Sequence, residues 1–263
     1  MAADPLFGVT GHQAMVATGH PLAARAAQAQ LLAGGSAVDA AIAADAVLGV
    51  VEPMATVIGG DLLAMLVPPG QAPLSYNGTG RAPQTLTAEM VQALPQHKIP
   101  ERHPLSVTTP GAVQGWWDLH QRFGKRPWAS LFADAIAAAS DGFAVAPVAA
   151  REWALFQPVI AQDPDSATLY RASQPPKAGE LFRNPALAQL LGEIAAQGPS
   201  AFYQGRIPQA AEQAMQRHGG VLAAADFAAH RGEFCTPVST AFRGCVVHEC
   251  PPNTHGVAVL HAL

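Results

Sequence analysis

The sequence predicts a mixed α/β (α+β) fold with a layered core. Three observations carry that reading. Ala-rich helical runs stand near the N-terminus. Short apolar runs of strand length alternate with Pro and Gly breaks along the rest. Hydrophobic residues make up 49% of 263 residues, enough to bury a sizeable core between helices and sheets. Charged residues make up only 13%, against about 25% in an ordinary domain. Disordered chains are poor in apolar residues and rich in charge, so disorder is excluded. The low charge also reads as a surface partly covered by another chain.

The elements follow in order. Residues 14–18 are expected to form a short strand. His20-Pro21 opens an Ala-rich helix, with Pro in its first turn, and Gly34-Gly35 stops it. Ser36 reads as the N-cap of a second helix over 37–50, with Asp39 placed for a capping box. Both helices are apolar all round and are expected to be buried. Residues 62–67 and 74–76, separated by Pro68-Pro69-Gly70, read as adjacent strands or a hairpin. From about residue 85 the pattern turns helical, with helices over 115–122, 128–140, 186–197 and 207–218 and a helical turn from Ala224. Strands return at 238–242 and 246–249, and 256–263 begins an apolar helix that looks incomplete where the sequence stops. The expected organisation is core helices and strands over 1–85, a mainly helical region over 86–235, and returning strands with the start of a helix over 236–263.

Composition excludes several function classes. The net charge is −4 and no run of four basic residues exists, so a nucleic-acid footprint is not expected. The longest apolar stretch, residues 37–51, is interrupted by Asp39 and Asp45 and is too short to span a bilayer. The first 20 residues lack a basic start followed by an apolar core, so a cytoplasmic location is expected, with a periplasmic one left open. Three cysteines, Cys235, Cys245 and Cys250, argue against a disulfide framework.

Three local patterns could carry chemistry. Cys245, His248, Cys250 and His255 are residue types that suit zinc. On a strand, however, His248 and Cys250 share a face while Cys245 points away, and the spacing fits no common finger, so no metal is expected. Gly59-Gly60-Asp61 lacks the flanking glycines and lysine of a phosphate loop. It reads either as a turn with an outward Asp or as a loop lining a site. Asn77 to Pro83 places Asn77, Thr79, Gly80 and Arg81 at a strand end, where small residues let a backbone approach a ligand. Arg81 reads as a surface ion pair or as a guanidinium able to grip a carboxylate through two parallel hydrogen bonds. No G-x-S-x-G elbow, HExxH or S-x-x-K motif is present.

Several segments together resemble the γ-glutamyltransferase family. They are "MVATGHPLAARAAQAQLLAGGSAVDAAIAADAVLGVVEPMATVIGG" (15–60), "VTTPGAVQGWWDLHQRFGKRPWASLFADAIAAASDGFAV" (107–145), "GPSAFYQGRI" (198–207), "HGGVLAAADFAAH" (218–230) and "PVSTAFRGCVVHECPP" (237–252). The resemblance runs in order over nearly the whole chain. It implies part of an αββα N-terminal-nucleophile hydrolase sandwich, made as a self-cleaving precursor. The nucleophile would be the N-terminal Thr of a small subunit encoded beyond residue 263, so no catalytic residue is assigned here. No cofactor is implied, since that Thr and its own amine suffice. The implied partners are that small catalytic subunit and a small amide carrying a carboxylate.

The family's Asp-x-Arg-Glu-x-Ala-Pro motif, whose Arg binds the substrate α-carboxylate, departs here. Aligned on Ala82-Pro83, it puts Asn77, Thr79 and Gly80 at its Asp, Arg and Glu, and Arg81 stands two residues after Thr79. Gly59-Gly60-Asp61 also departs from the family's four-glycine run. Both departures look more like the oxamate amidohydrolase and cephalosporin acylase branches, so an oxamate-type or acylase-type substrate is expected over glutathione. The alternative is a non-catalytic, truncated or degenerate member acting as a scaffold or binding module.

Overall fold

The computed structural model describes residues 10–263. They divide into two compact units that interleave along the chain, one running up to Thr56 and again over 123–195, the other over 57–122 and 196–263.

The first unit is helical. α1 (Pro21–Leu32) begins with His20, whose Nδ1 accepts from Leu22 N at 3.1 Å, and carries Pro at its first position. α2 (Ala37–Val51) has the full capping box. Ser36 Oγ accepts from Asp39 N at 3.1 Å, and Asp39 Oδ2 accepts from Ser36 N at 2.7 Å. Asp39 is fully buried. Lys125 N (2.9 Å) and Arg126 N (3.3 Å) also donate to its Oδ2, so backbone N–H groups replace the water the carboxylate lost. The same carboxylate therefore fixes the start of α2 and the loop at 125–126.

α2 is buried nearly throughout, and packs against α1 and the helix Ala133–Asp141. α1 differs from expectation. It buries one face, through Ala23, Ala26, Ala27 and Gln30, while Leu32 stands open on the other. Alanine-rich composition hides that division, because Ala occupies both faces. Residues 14–18, expected as a strand, form no ladder, and β propensity without a pairing edge leaves extended chain. A second cluster centres on Trp153 of the helix Pro147–Ile160. Trp153 is fully buried, donates Nε1–H to Tyr170 O at 2.9 Å, and meets Phe182 edge-on at 4.8 Å.

The second unit is built on a three-stranded antiparallel sheet. Its strands are Leu63–Leu66, Leu74–Asn77 and Glu233–Cys235, in that order across the sheet, with Ala64 opposite Tyr76 and Tyr76 opposite Phe234. The helix Ala112–Phe123 buries Val113, Trp116 and Leu119 at three-residue spacing. Its Asp118 Oδ2 accepts from Tyr76 Oη at 2.6 Å, which ties the helix to the middle strand. A separate hairpin pairs Val238–Phe242 with Cys245–Glu249. Its two-residue turn, Arg243-Gly244, has both φ angles positive (49° and 81°), as a type I′ turn requires. The helix Gly256–Ala262 follows.

Candidate active site

The site is assembled in the second unit, where three segments meet at backbone level. The middle strand ends at Asn77, whose Oδ1 accepts from Thr79 N at 3.0 Å and turns the chain sharply. Gly78 N donates to Leu62 O at 2.8 Å, so pairing with the first strand continues one residue past the ladder. Gly80 N then donates to Asp61 Oδ1, also at 2.8 Å. Gly60 O accepts from both Gly111 N and Ala112 N at 2.9 Å, at the start of the helix Ala112–Phe123. Thr109 N donates to Arg81 O at 3.1 Å.

The two loops singled out in the sequence are thus one structure, and a third segment, Thr109 to Ala112, locks them. Glycine is demanded at the contact points. A Cβ on Gly80 would run into Thr109 O, and a Cβ on Gly111 would run into Gly78 O.

The sequence-predicted residues divide into framework and free surface. Gly78 and Gly80 are buried, and Asn77 and Thr79 are half-buried. Gly59 and Asp61 are exposed and Gly60 is half-buried. Asp61 does not merely face outward, since its carboxylate holds Gly80. Arg81 is exposed, and its guanidinium makes no hydrogen bond among the described residues. An unengaged guanidinium on a backbone held at Gly78, Thr79, Gly80 and Arg81 O is suited to seizing an anionic group without reorganising.

Behind the loops lies a layer that the sequence reasoning missed. Tyr203 Oη donates to Pro110 O at 2.8 Å and accepts from Gln114 N at 3.1 Å. Gln114 Nε2 donates to Asp118 Oδ1 at 2.8 Å. Burial pushes the Tyr203 hydroxyl far up, against the bond from Gln114 N, and burial plus the bond to Asp118 does the same for Tyr76, so both stay neutral donors. His230 stacks on Tyr203 at 5.5 Å, is 4% exposed, and has no hydrogen-bond partner at either ring nitrogen among the described residues. Burial lowers its pKa. The Asp118 and Asp61 charges oppose that shift, while Arg231 and Arg81 add to it. The available signal for this layer was the "VTTPGAVQ", "GPSAFYQGRI" and "FAAH" stretches of the quoted segments, which carried family likeness but no visible chemistry.

The zinc-type residues do not assemble. Cys245 is exposed at the hairpin turn, Cys250 points at Ala64 O, and among the described residues no three His, Cys, Asp or Glu side chains converge as a metal site. No helix among the described residues is long and apolar enough to cross a membrane.

The family model described as Gamma-glutamyltranspeptidase matches residues 23–263. The chain belongs to the gamma-glutamyltranspeptidase family. It is 34% identical over 260 residues to the glutathione hydrolase-like YwrD proenzyme of Bacillus subtilis, covering 97% of this chain and 49% of that protein. It is 33% identical over 256 residues to the oxamate amidohydrolase proenzyme of Klebsiella pneumoniae, covering 95% and 48%. The crystal structure of cephalosporin acylase from Bacillus halodurans matches with a TM-score of 0.86 and 33% identity, over 97% of this chain and 51% of that one. The chain therefore spans about half the length of the curated relatives it matches, and its mixed helix-and-sheet architecture is that of gamma-glutamyltranspeptidase-family hydrolases.

Proposed function

We propose that this chain is the large-subunit part of a gamma-glutamyltranspeptidase-family amidohydrolase or acyltransferase, and that Arg81 anchors the carboxylate of a small amide substrate. The observation that carries this is Arg81 itself, exposed and unengaged on a loop whose backbone is pinned by Asp61, Thr109 and the Gly60–Gly111 bond. It stands two residues past the position where the family motif carries its carboxylate-binding Arg.

In this reading the nucleophile is an N-terminal Thr of a small subunit, in the part of the relatives that this chain does not span. The Thr α-amino group takes the hydroxyl proton as Oγ attacks the amide carbonyl. Backbone N–H groups hold the oxyanion, the amine leaves, and water or an acceptor amine takes the acyl group. The word proenzyme in the relatives' names supports a precursor that divides into two chains. Leu63, Met65 and Val67 lie on one face of the first sheet strand and its extension, 45%, 38% and 69% exposed, and supply an apolar surface for the second chain. The loop's departures from the glutathione-type motif favour an oxamate-type or acylase-type substrate.

The test is Arg81→Ala and Arg81→Lys in the full-length native polypeptide, assayed on carboxylate-bearing amides. A charged hydrogen bond is worth about 1.5–3 kcal/mol, so Arg81→Ala is expected to lower kcat/KM by about 10-fold or more, with Lys recovering part of it. A change within about twofold removes the anchor role.

A further inference from the structure

Two cysteines have no part in the proposed site, yet the fold brings them to one sheet. Cys235 is directly opposite Ser75 in the ladder, with its Sγ 3.2 Å from Ser75 Oγ. Cys250 follows the hairpin, and its Sγ lies 3.8 Å from Ala64 O. Ala64 is opposite Tyr76, the residue after Ser75, so the Ala64 O met by Cys250 and the Ser75 Oγ met by Cys235 belong to adjacent positions of two neighbouring strands. The face is fixed by a second contact. Asn77, two residues from Ser75 and on its side of the sheet, donates Nδ2–H to Asn253 Oδ1 at 3.0 Å, three residues beyond Cys250. Ser75 is fully buried beside Cys235. Burial, then the neighbouring Cys235, then Glu249 push the Cys250 thiol up. Cys245 differs, standing exposed at the hairpin turn opposite Phe242.

We propose that Cys235 and Cys250 are a reversible thiol-oxidation site that closes to a disulfide under hydroperoxide and staples the 250–253 segment to the three-stranded sheet. One thiolate attacks an oxygen of hydrogen peroxide, the O–O bond breaks, and hydroxide leaves and takes up a proton as water, with the sulfur now a sulfenic acid. The second thiolate attacks that sulfur, the S–S bond forms, and a second water departs. Two thiols are oxidised by two electrons and one hydroperoxide is reduced. Disulfide geometry needs a sulfur separation of about 2.05 Å. Cys250 supplies the approach, because it sits in irregular chain beyond the last ladder pair, Val238 with Glu249. Both thiols are half-buried, within reach of a small peroxide. The oxidation chemistry does not rest on the proposed amidohydrolase reading, although Asn77 borders both places.

The test uses the full-length native polypeptide carrying Cys245→Ser. It is treated with hydrogen peroxide, alkylated, digested and mapped by mass spectrometry. The expected result is a linked Cys235–Cys250 peptide, an intact mass lower by two hydrogens, reversal by dithiothreitol, and no link in Cys235→Ser. The oxidised protein is expected to melt at a higher temperature than the reduced one, since the link restrains the unfolded chain. Recovery of both thiols as alkylated or separately overoxidised residues overturns the proposal, and so does an unchanged melting temperature of the linked species.

Discussion

Asp61 Oδ1 accepts a hydrogen bond from Gly80 N at 2.8 Å, and that bond joins two loops that are separate in the sequence. Asp61→Ala removes the acceptor and leaves the Asn77–Arg81 turn held by its other bonds. In the full-length polypeptide the expected outcome is a KM several-fold higher with little change in melting temperature, because Asp61 is exposed. Steady-state kinetics beside a thermal melt separates this from general unfolding, which would lower both activity and stability.

Gly80→Ala tests the close backbone approach. The new Cβ meets Thr109 O, which is main chain and cannot rotate aside. Overpacking of this kind costs about 1–3 kcal/mol, read as a lower denaturant midpoint. Gly70→Ala is a weaker control, since nothing stands within 4 Å of its Cβ position and only its φ of +70° opposes the change.

Asp39→Ala is expected to be among the most damaging single changes outside the site. It removes the capping box of α2 and strips the acceptor from the 125–126 backbone in a fully buried position. Leaving buried donors unsatisfied and losing a cap together cost about 2–4 kcal/mol, measured by urea unfolding against the parent protein.

The buried imidazole of His230 predicts a pH dependence. Its folded pKa lies below the ordinary 6.5, so the unfolded chain binds a proton more readily. Stability is complete above pH 6.5 and falls as pH drops below it towards the folded value. His20 is shifted the same way by burial, opposed by Glu52, and adds to the slope. His230→Phe should flatten part of the acid slope, seen in melting temperatures across pH 5 to 7.5. An identical slope in the variant would remove His230 from this account.

Much of the frame was legible because its signals are local. Pro21 at a helix start, Ser36 with Asp39, and the run of strand, Pro-Pro-Gly and strand each determine a few neighbouring residues. The long-range pairings were not. The strand Glu233–Cys235 has three residues, and it exists because Leu74–Asn77 lies beside it, some 160 positions earlier. Residues 14–18 show the converse, a β-like run that finds no edge. At the site, both loops stood out by their glycines, but the sequence held no sign that Asp61 reaches Gly80. His230 and Tyr203 carried no individual signal, and their place behind Gly111 follows only from the fold.

Self-processing into two chains underlies the proposed function. It is tested most directly by the intact mass and N-terminal sequence of the purified product of the gene with its native downstream region. Two associated polypeptides are expected, the larger containing these residues and the smaller beginning with Thr. A single uncleaved polypeptide, or a second chain that begins with a residue unable to act as a nucleophile, would contradict it.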